Sequence, residues 1–387
     1  MAKPYYKALT GVRAAAAFMV YLHHYNPGLA LFNSQTIQDI CHEMHVGVTI
    51  FFTLSGFLIT TRYYNHIHLS KTYVWTYFIN RFARIYPLYI LLTTLFYVLN
   101  FIEHGATIEL TKEYVLNATF LRGFSYKYFC TGLPQGWSLT AEECFYVFAL
   151  FFLVVLQSLR RTKWLAWVMA SLLLPALGYG LVMLCNHLGI EYFENLPFVA
   201  SYTFFGRFTE FFIGSGLAFL LNRNGTTLKV PAPTYLGMAA FAAGIFLLIQ
   251  IKQQYNVNYG ISHPYGVLVN NVYLPLCISL IFAGLLTEQT IISKLLSTNV
   301  FSVLGKSSYA FYLINMGFVH AMIGYFNEKT ALEYSLNFTV LLLISIMAYY
   351  LIEEPVNKKI RSLTSRLNWL TPISVSSNSA SSRQTVR

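Results

Sequence analysis

The chain has 387 residues, of which 56% are hydrophobic and only 11% charged, with a net charge of +11. A soluble chain carries about 25% charged residues to cover its surface. This composition therefore excludes an ordinary soluble domain and predicts an all-α, polytopic transmembrane bundle.

Runs of about 20 apolar residues cross a hydrocarbon core. About ten such spans are predicted, at 8–25, 46–63, 86–103, 140–158, 164–185, 203–222, 233–251, 267–286, 304–326 and 335–353. The first run contains Arg13 and has no A-x-A-like site after it, so it is expected to be retained rather than cleaved as a signal. Within it, "GVRAAAAFMVYLHHY" (residues 11–25) sets Arg13 and His24 eleven positions apart. Eleven helical residues turn about 20° beyond three full turns and rise roughly 16 Å, so the two side chains share a face, and His23 points about 100° away. Ionisable groups at bilayer depth are costly unless they meet a partner or water, which makes the pair a polar stripe lining a cavity. The alternative is that Arg13 snorkels to one interface while His24 sits at the other.

Further along, "NRFARIYPLY" places Arg81 and Arg84 at the inner mouth of the third span, with Pro87 expected to start that helix. Segment 112–124 is amphipathic and is read as interfacial. The fourth span opens with "GWSLTAEECFY", whose Glu142 and Glu143 sit at its outer edge. They either serve chemistry or cap the helix start, where the dipole favours them. Arg207 and Glu210 are one turn apart and are candidates to pair. "LGKSSYAFYLIN" puts Tyr309 and Tyr312 on one face, with Asn315 further along it. "IEEPVNKK" ends the last span with Glu353, Glu354 and Pro355, and the polar tail "SVSSNSASSRQTVR" is expected to be disordered.

With the N-terminus placed in the cytoplasm, the outer loops hold only Lys112, Arg122, Lys127, Lys252 and Lys329. Arg13 and Arg207 lie inside spans, and the rest of the 26 Lys and Arg residues fall on the inner side. This partition predicts an even number of spans with both termini cytoplasmic. It also assigns the basic excess to anionic lipid or an anionic cytoplasmic ligand rather than to nucleic acid. Cys41, Cys130, Cys144, Cys185 and Cys277 form neither a disulfide scaffold nor a metal spacing. Cys41 and Cys130 share the outer side, where either a disulfide or two free thiols is open.

Taken in order, "GVRAAAAFMVYLHH", "GVTIFFTLSGFLIT", "NRFARIYPLY", "WSLTAEECFY", "LGKSSYAFYLIN" and "EEP" resemble the signature segments of the acyltransferase type-3 family, over about residues 8–360. The resemblance implies an integral O-acyltransferase of the inner or plasma membrane. Such an enzyme moves an acyl group, usually acetyl, from cytoplasmic acyl-CoA to a hydroxyl of an extracytoplasmic glycan or lipid-linked sugar. It divides the chain into a transmembrane acyltransferase domain at 1–360 and a cytoplasmic tail at 361–387. Arg13 and His24 match the family's essential Arg and His, Arg81 and Arg84 its Arg-x-x-Arg motif, and Glu142 and Glu143 its paired Glu. Thr49 stands where many relatives have an acidic residue, and Asn315 where they have His. The hydrolase-like domain that some relatives append is expected to be absent.

On that reading Arg81 and Arg84 bind CoA phosphates, since guanidinium groups suit bidentate phosphate contact. His24 is the general base for the acceptor hydroxyl. Arg13 orients the thioester end or a phosphate, and Arg13 or Tyr309 stabilises the oxyanion. Glu142 or Glu143 sets the imidazole tautomer. Ser55 and Ser138 are read as packing or cap residues, and no metal is implied. The rival reading is a transporter or flippase of an envelope polysaccharide precursor. The absence of a repeat between the two halves weighs against it.

Overall fold

The computed structural model describes residues 6–67, 69–159, 162–224, 230–323 and 330–370, and the tail 371–387 lies outside them. The chain forms α1 (Lys7–His24), α2 (Gln35–His42), α3 (Gly47–Tyr63), α4 (Lys71–His104), α5 (Ile108–Ala118), α6 (Trp137–Ser158), α7 (Lys163–Leu188), α8 (Leu196–Tyr202), α9 (Phe204–Asn224), α10 (Pro233–Gln254), α11 (Pro264–Leu268), α12 (Leu274–Thr287), α13 (Ile291–Leu296), α14 (Asn299–Ile314), α15 (Phe318–Ile323), α16 (Ala331–Ala348) and α17 (Glu354–Leu370). No strand occurs among the described residues. Ser70, Thr298 and Thr330 cap α4, α14 and α16 by accepting a backbone N–H from the first turn.

Among the described residues, 8 helical stretches are long and apolar enough to cross a membrane. They correspond to all the expected spans except 8–25 and 304–326, which are α1 and α14. α1 carries Lys7, Arg13, His23 and His24, and α14 has only 16 residues and includes Lys306, Ser307 and Ser308. These two helices pack against each other inside the bundle. Arg13, His23, His24 and Lys306 line cavities and Ser308 meets Arg13, so lower hydropathy is tolerated there. Outside, α7 exposes Leu172, Leu173, Leu177 and Leu184, the surface expected of a helix against lipid.

Two expected boundaries move. α4 starts at Lys71 and continues through Pro87, so this proline lies inside the helix and Arg81 and Arg84 lie about three to four turns along it. α17 runs through residue 361, so the domain does not end there in a break of structure. Two π-turns interrupt the helices, Val269–Tyr273 before α12 and Tyr349–Glu353 before α17. Such turns leave backbone register locally shifted and often mark functional positions.

α3 and α9 cross in close contact. A Cβ on Gly56 would collide with the Phe211 carbonyl oxygen, and one on Gly214 with the Thr53 carbonyl oxygen. Small residues let backbones approach closely where no water is present to drive packing. Gly56→Val should therefore lower the thermal stability of the detergent-solubilised protein, by about 1–3 kcal/mol from overpacking. Gly180→Ala, at a position inside α7 with nothing within 4 Å, should not lower it. Equal melting temperatures for Gly56→Val and wild type would contradict this packing.

Candidate active site

Three cavities lie in series through the bundle. A vestibule of about 410 Å³ opens at the end where α1 begins and α17 follows α16, and Tyr6 and Arg361 both line it. Its basic residues are Arg13, Arg62, Arg84, Lys306, Lys358 and Arg361, and Glu353 and Glu354 are its carboxylates. Glu353 is delivered by the second π-turn. A neck of about 40 Å³ follows, sharing Arg13 and Arg84 with the vestibule. Beyond it a pocket of about 260 Å³ holds His23, His24 and His45, and it shares Val48 and Tyr312 with the neck.

Arg13 stands at the junction of vestibule and neck. Its Nε donates to Ser308 Oγ at 3.3 Å, and its guanidinium lies 5.9 Å from the Phe51 ring centroid. His24 ends the same helix in the far pocket, and His23, expected to point away from that face, lines the pocket as well. The Asn315 amide faces His24, and the buried His24 Nδ1 has no hydrogen-bond partner in the protein. His23 is held differently, with Nδ1 2.6 Å from the His42 carbonyl oxygen.

The structure separates both predicted pairs. Arg84 lines vestibule and neck, whereas Arg81 lines none of the three cavities. It is buried, donates to the Tyr63 hydroxyl at 3.1 Å, and stacks 5.4 Å and 5.5 Å from the Tyr63 and Tyr146 ring centroids. Glu142 lines the neck, where Ser55 Oγ donates to its Oε1 at 2.7 Å and the Tyr146 hydroxyl donates to the same oxygen. Glu143 faces a lateral groove of about 870 Å³ lined by Phe82, Phe120, Phe148 and Phe205.

Several expectations need correction. Neither carboxylate hydrogen-bonds His24, so neither sets its tautomer here. Neither caps α6, which begins at Trp137 with Gly136 as its N-cap and carries the two acids in its second turn. Ser55 joins α3 to α6 through Glu142 instead of simply packing. Tyr309 lines the neck, but its hydroxyl donates to the Ile85 carbonyl at 2.7 Å and is committed there. Cys41 and Cys130 are free thiols, the first buried and the second exposed.

Some basic residues came into the site unread from the sequence. Arg62, Lys306 and Arg361 counted only as topological charges, yet they line the vestibule. Arg207 and Glu210 do pair, with Nε–Oε2 at 2.8 Å and Nη2–Oε1 at 2.7 Å, at 2% and 0% side-chain exposure. Arg207 Nη2 also donates to Thr49 Oγ1 at 3.2 Å, and Thr49 Oγ1 donates to Asn270 Oδ1 at 3.2 Å, in the first π-turn. Arg122, assigned to an outer loop, is fully buried. It donates to Asn117 Oδ1 at 2.6 Å and to the Thr131 and Leu133 carbonyls, which holds the loop that presents Gln135.

A family model described as an acyltransferase domain matches residues 6–353, a range that includes all three cavities except for the α17 residues of the vestibule. The chain belongs to the acyltransferase type-3 family. The chain is 23% identical over 382 residues to the O-acetyltransferase OatA of Staphylococcus aureus strain NCTC 8325, covering 92% of this chain and 58% of that protein. It is also 23% identical over 392 residues to a putative O-acetyltransferase of Staphylococcus aureus strain MRSA252, covering 95% of this chain and 60% of that protein. The chain thus spans about 58–60% of the length of these curated relatives. No solved structure matches it.

Proposed function

We propose that this chain is a membrane O-acyltransferase that moves an acyl group, acetyl in the first instance, from acyl-CoA to a hydroxyl of a glycan or lipid-linked sugar. The observation that carries the reading is the cavity series, a basic chamber joined through Arg13 and a narrow neck to a pocket ending at His24. The basic chamber faces the cytoplasm and the histidine pocket faces outward, so both termini are cytoplasmic and the protein is multi-pass in the inner or plasma membrane.

CoA is polyanionic, and six basic side chains with only two carboxylates make the vestibule suited to its phosphates. Arg84 holds a phosphate or the start of the pantetheine arm. The arm threads past Arg13 into the neck, along a helix face whose rise from Arg13 to His24 is roughly 16 Å. His24 takes the proton from the acceptor hydroxyl, and the oxygen attacks the thioester carbonyl. The tetrahedral oxyanion collapses, the C–S bond breaks, and CoA leaves as the thiol with the proton relayed from His24. Positive charge at the neck from Arg13 and Arg84 favours the anionic intermediate.

The test is release of CoA and formation of an O-acetyl ester by the purified full chain in lipid vesicles, with acetyl-CoA supplied to the basic face. Arg84→Ala should raise the KM for acetyl-CoA by roughly tenfold or more, as expected for a lost charge-assisted contact. Arg81→Ala should instead act mainly on thermal stability, because its guanidinium is enclosed by Tyr63 and Tyr146. If export of an envelope glycan is lost while its O-acetyl content per chain is unchanged, the transporter reading replaces this one.

A further inference from the structure

We infer that the histidine pocket binds a single uncharged sugar ring, and that His45 and Gln135 read its hydroxyl groups. The inference rests on the proposed acyl transfer and adds the specificity-determining residues of the acceptor side.

His45, from the turn Glu43–Val46, lines the pocket together with Gln135. Its Nδ1 lies 3.4 Å from the His42 carbonyl oxygen. That contact places the proton of the neutral ring on Nδ1 and leaves Nε2 as a bare acceptor. His45 Nε2 is buried and has no hydrogen-bond partner in the protein. Gln135 is orientated just as firmly. Its Nε2 donates to Asn315 Oδ1 at 3.1 Å and to the Met316 carbonyl at 3.2 Å. Two oxygen partners fix the amide nitrogen on that side, so Oε1 is the remaining acceptor, and it too is buried without a partner.

Buried polar atoms without partners are rare and costly, and each calls for an explanation. Here both orphans are acceptors, and both belong to residues lining one pocket beside His24. A ligand that relieves them must bring several donors on a compact frame, which describes adjacent hydroxyl groups on a ring. The pocket walls supply Phe129, Trp137 and Tyr202, with Phe129–Tyr202 and Trp137–Tyr202 centroids 4.8 Å and 5.0 Å apart. Such faces suit the C–H side of a sugar ring. The cationic side chain there, Arg207, is neutralised by Glu210, so the pocket offers no net charge to an anionic acceptor. At about 260 Å³ the space falls below the roughly 300–1,000 Å³ typical of drug-sized ligands, which limits it to one ring.

The test compares two acceptors with the purified full chain in vesicles and acetyl-CoA as donor: methyl β-D-glucopyranoside, and n-propanol, which has a single hydroxyl. A site built to hydrogen-bond hydroxyl groups discriminates against a substrate that lacks them. Wild type should prefer the pyranoside by kcat/KM. In His45→Ala and in Gln135→Ala that preference should fall by roughly threefold to tenfold each, the size of one neutral hydrogen bond. The ratio is internal to the folded enzyme, so a partly unstable variant still reports. If His45→Ala cannot be recovered folded, Gln135→Ala decides alone. A preference unaltered in the recovered variants overturns the inference and leaves the proposed function standing. Wild type that acetylates neither alcohol and releases no CoA overturns the proposed function, and this inference with it.

Discussion

Replacing His24 by alanine will lower kcat for acyl transfer by roughly 100- to 10,000-fold, the range that a positioned general base contributes. The KM for acetyl-CoA should stay within about twofold of wild type, because the vestibule lies at the other end of α1, roughly 16 Å away. The two constants therefore separate a base from a residue that holds the donor. His23→Ala is the internal control. It removes an imidazole from the same pocket, but one whose Nδ1 is committed to the His42 carbonyl at 2.6 Å. Its effect on kcat should be at least tenfold smaller than that of His24→Ala, a margin that keeps the two well apart on the scale of acid–base contributions. Equal losses for the two variants would mean that the pocket merely needs its histidines for shape. The base would then have to be sought elsewhere.

The largest stability effect should come from Arg207. Its guanidinium and the Glu210 carboxylate are almost fully enclosed and doubly hydrogen-bonded. Removing one partner leaves the other charge buried and alone, which costs about 3–5 kcal/mol. Arg207→Ala or Glu210→Ala should thus sharply reduce recovery of folded protein and lower its melting temperature in detergent. A double replacement by apolar residues of similar size, Arg207→Met with Glu210→Leu, should recover much of that loss, since a well-packed apolar pair can equal a buried ion pair. Single variants as stable as wild type would show that water reaches the pair. They would also undo the view of the histidine pocket as uncharged. Thr49 and Asn270 extend the pair into α3 and the first π-turn, so losses there should couple to it and not simply add.

The position of Thr49 takes on a physical meaning in this light. Thr49 accepts from Arg207 and donates to Asn270. Glu210, one turn along α9, already supplies the countercharge, so a hydroxyl suffices at Thr49. Asn315 similarly serves as a neutral bridge between Gln135 and the neighbourhood of His24.

What could be read from the chain alone was whatever depends on local periodicity. The spans follow from runs of apolar residues, and the 3.6-residue repeat sets Arg13 and His24 on one face, whatever packs around them. α6 is legible as a motif, but it begins a few residues before its apolar run, so Glu142 and Glu143 fall in the second turn and not at the cap. Whether an arginine serves a ligand or the scaffold was not legible. Arg81 and Arg84 differ by less than one turn, yet the rings of Tyr63 and Tyr146 enclose one while the vestibule receives the other.

Those choices belong to the tertiary structure, because they depend on partners far away in sequence. Ser55 meets Glu142 across 87 residues, and Gln135 meets Asn315 across 180. The sequence by itself determined that the chain is a helical membrane protein with a guanidinium and an imidazole along one helix. Only the assembled bundle decided which carboxylate enters the neck, which polar atoms are left without partners, and which end holds the basic chamber. Hydrophobicity and helical pitch act within a segment, whereas the direction a side chain can face is set by whichever other helix comes to lie against it.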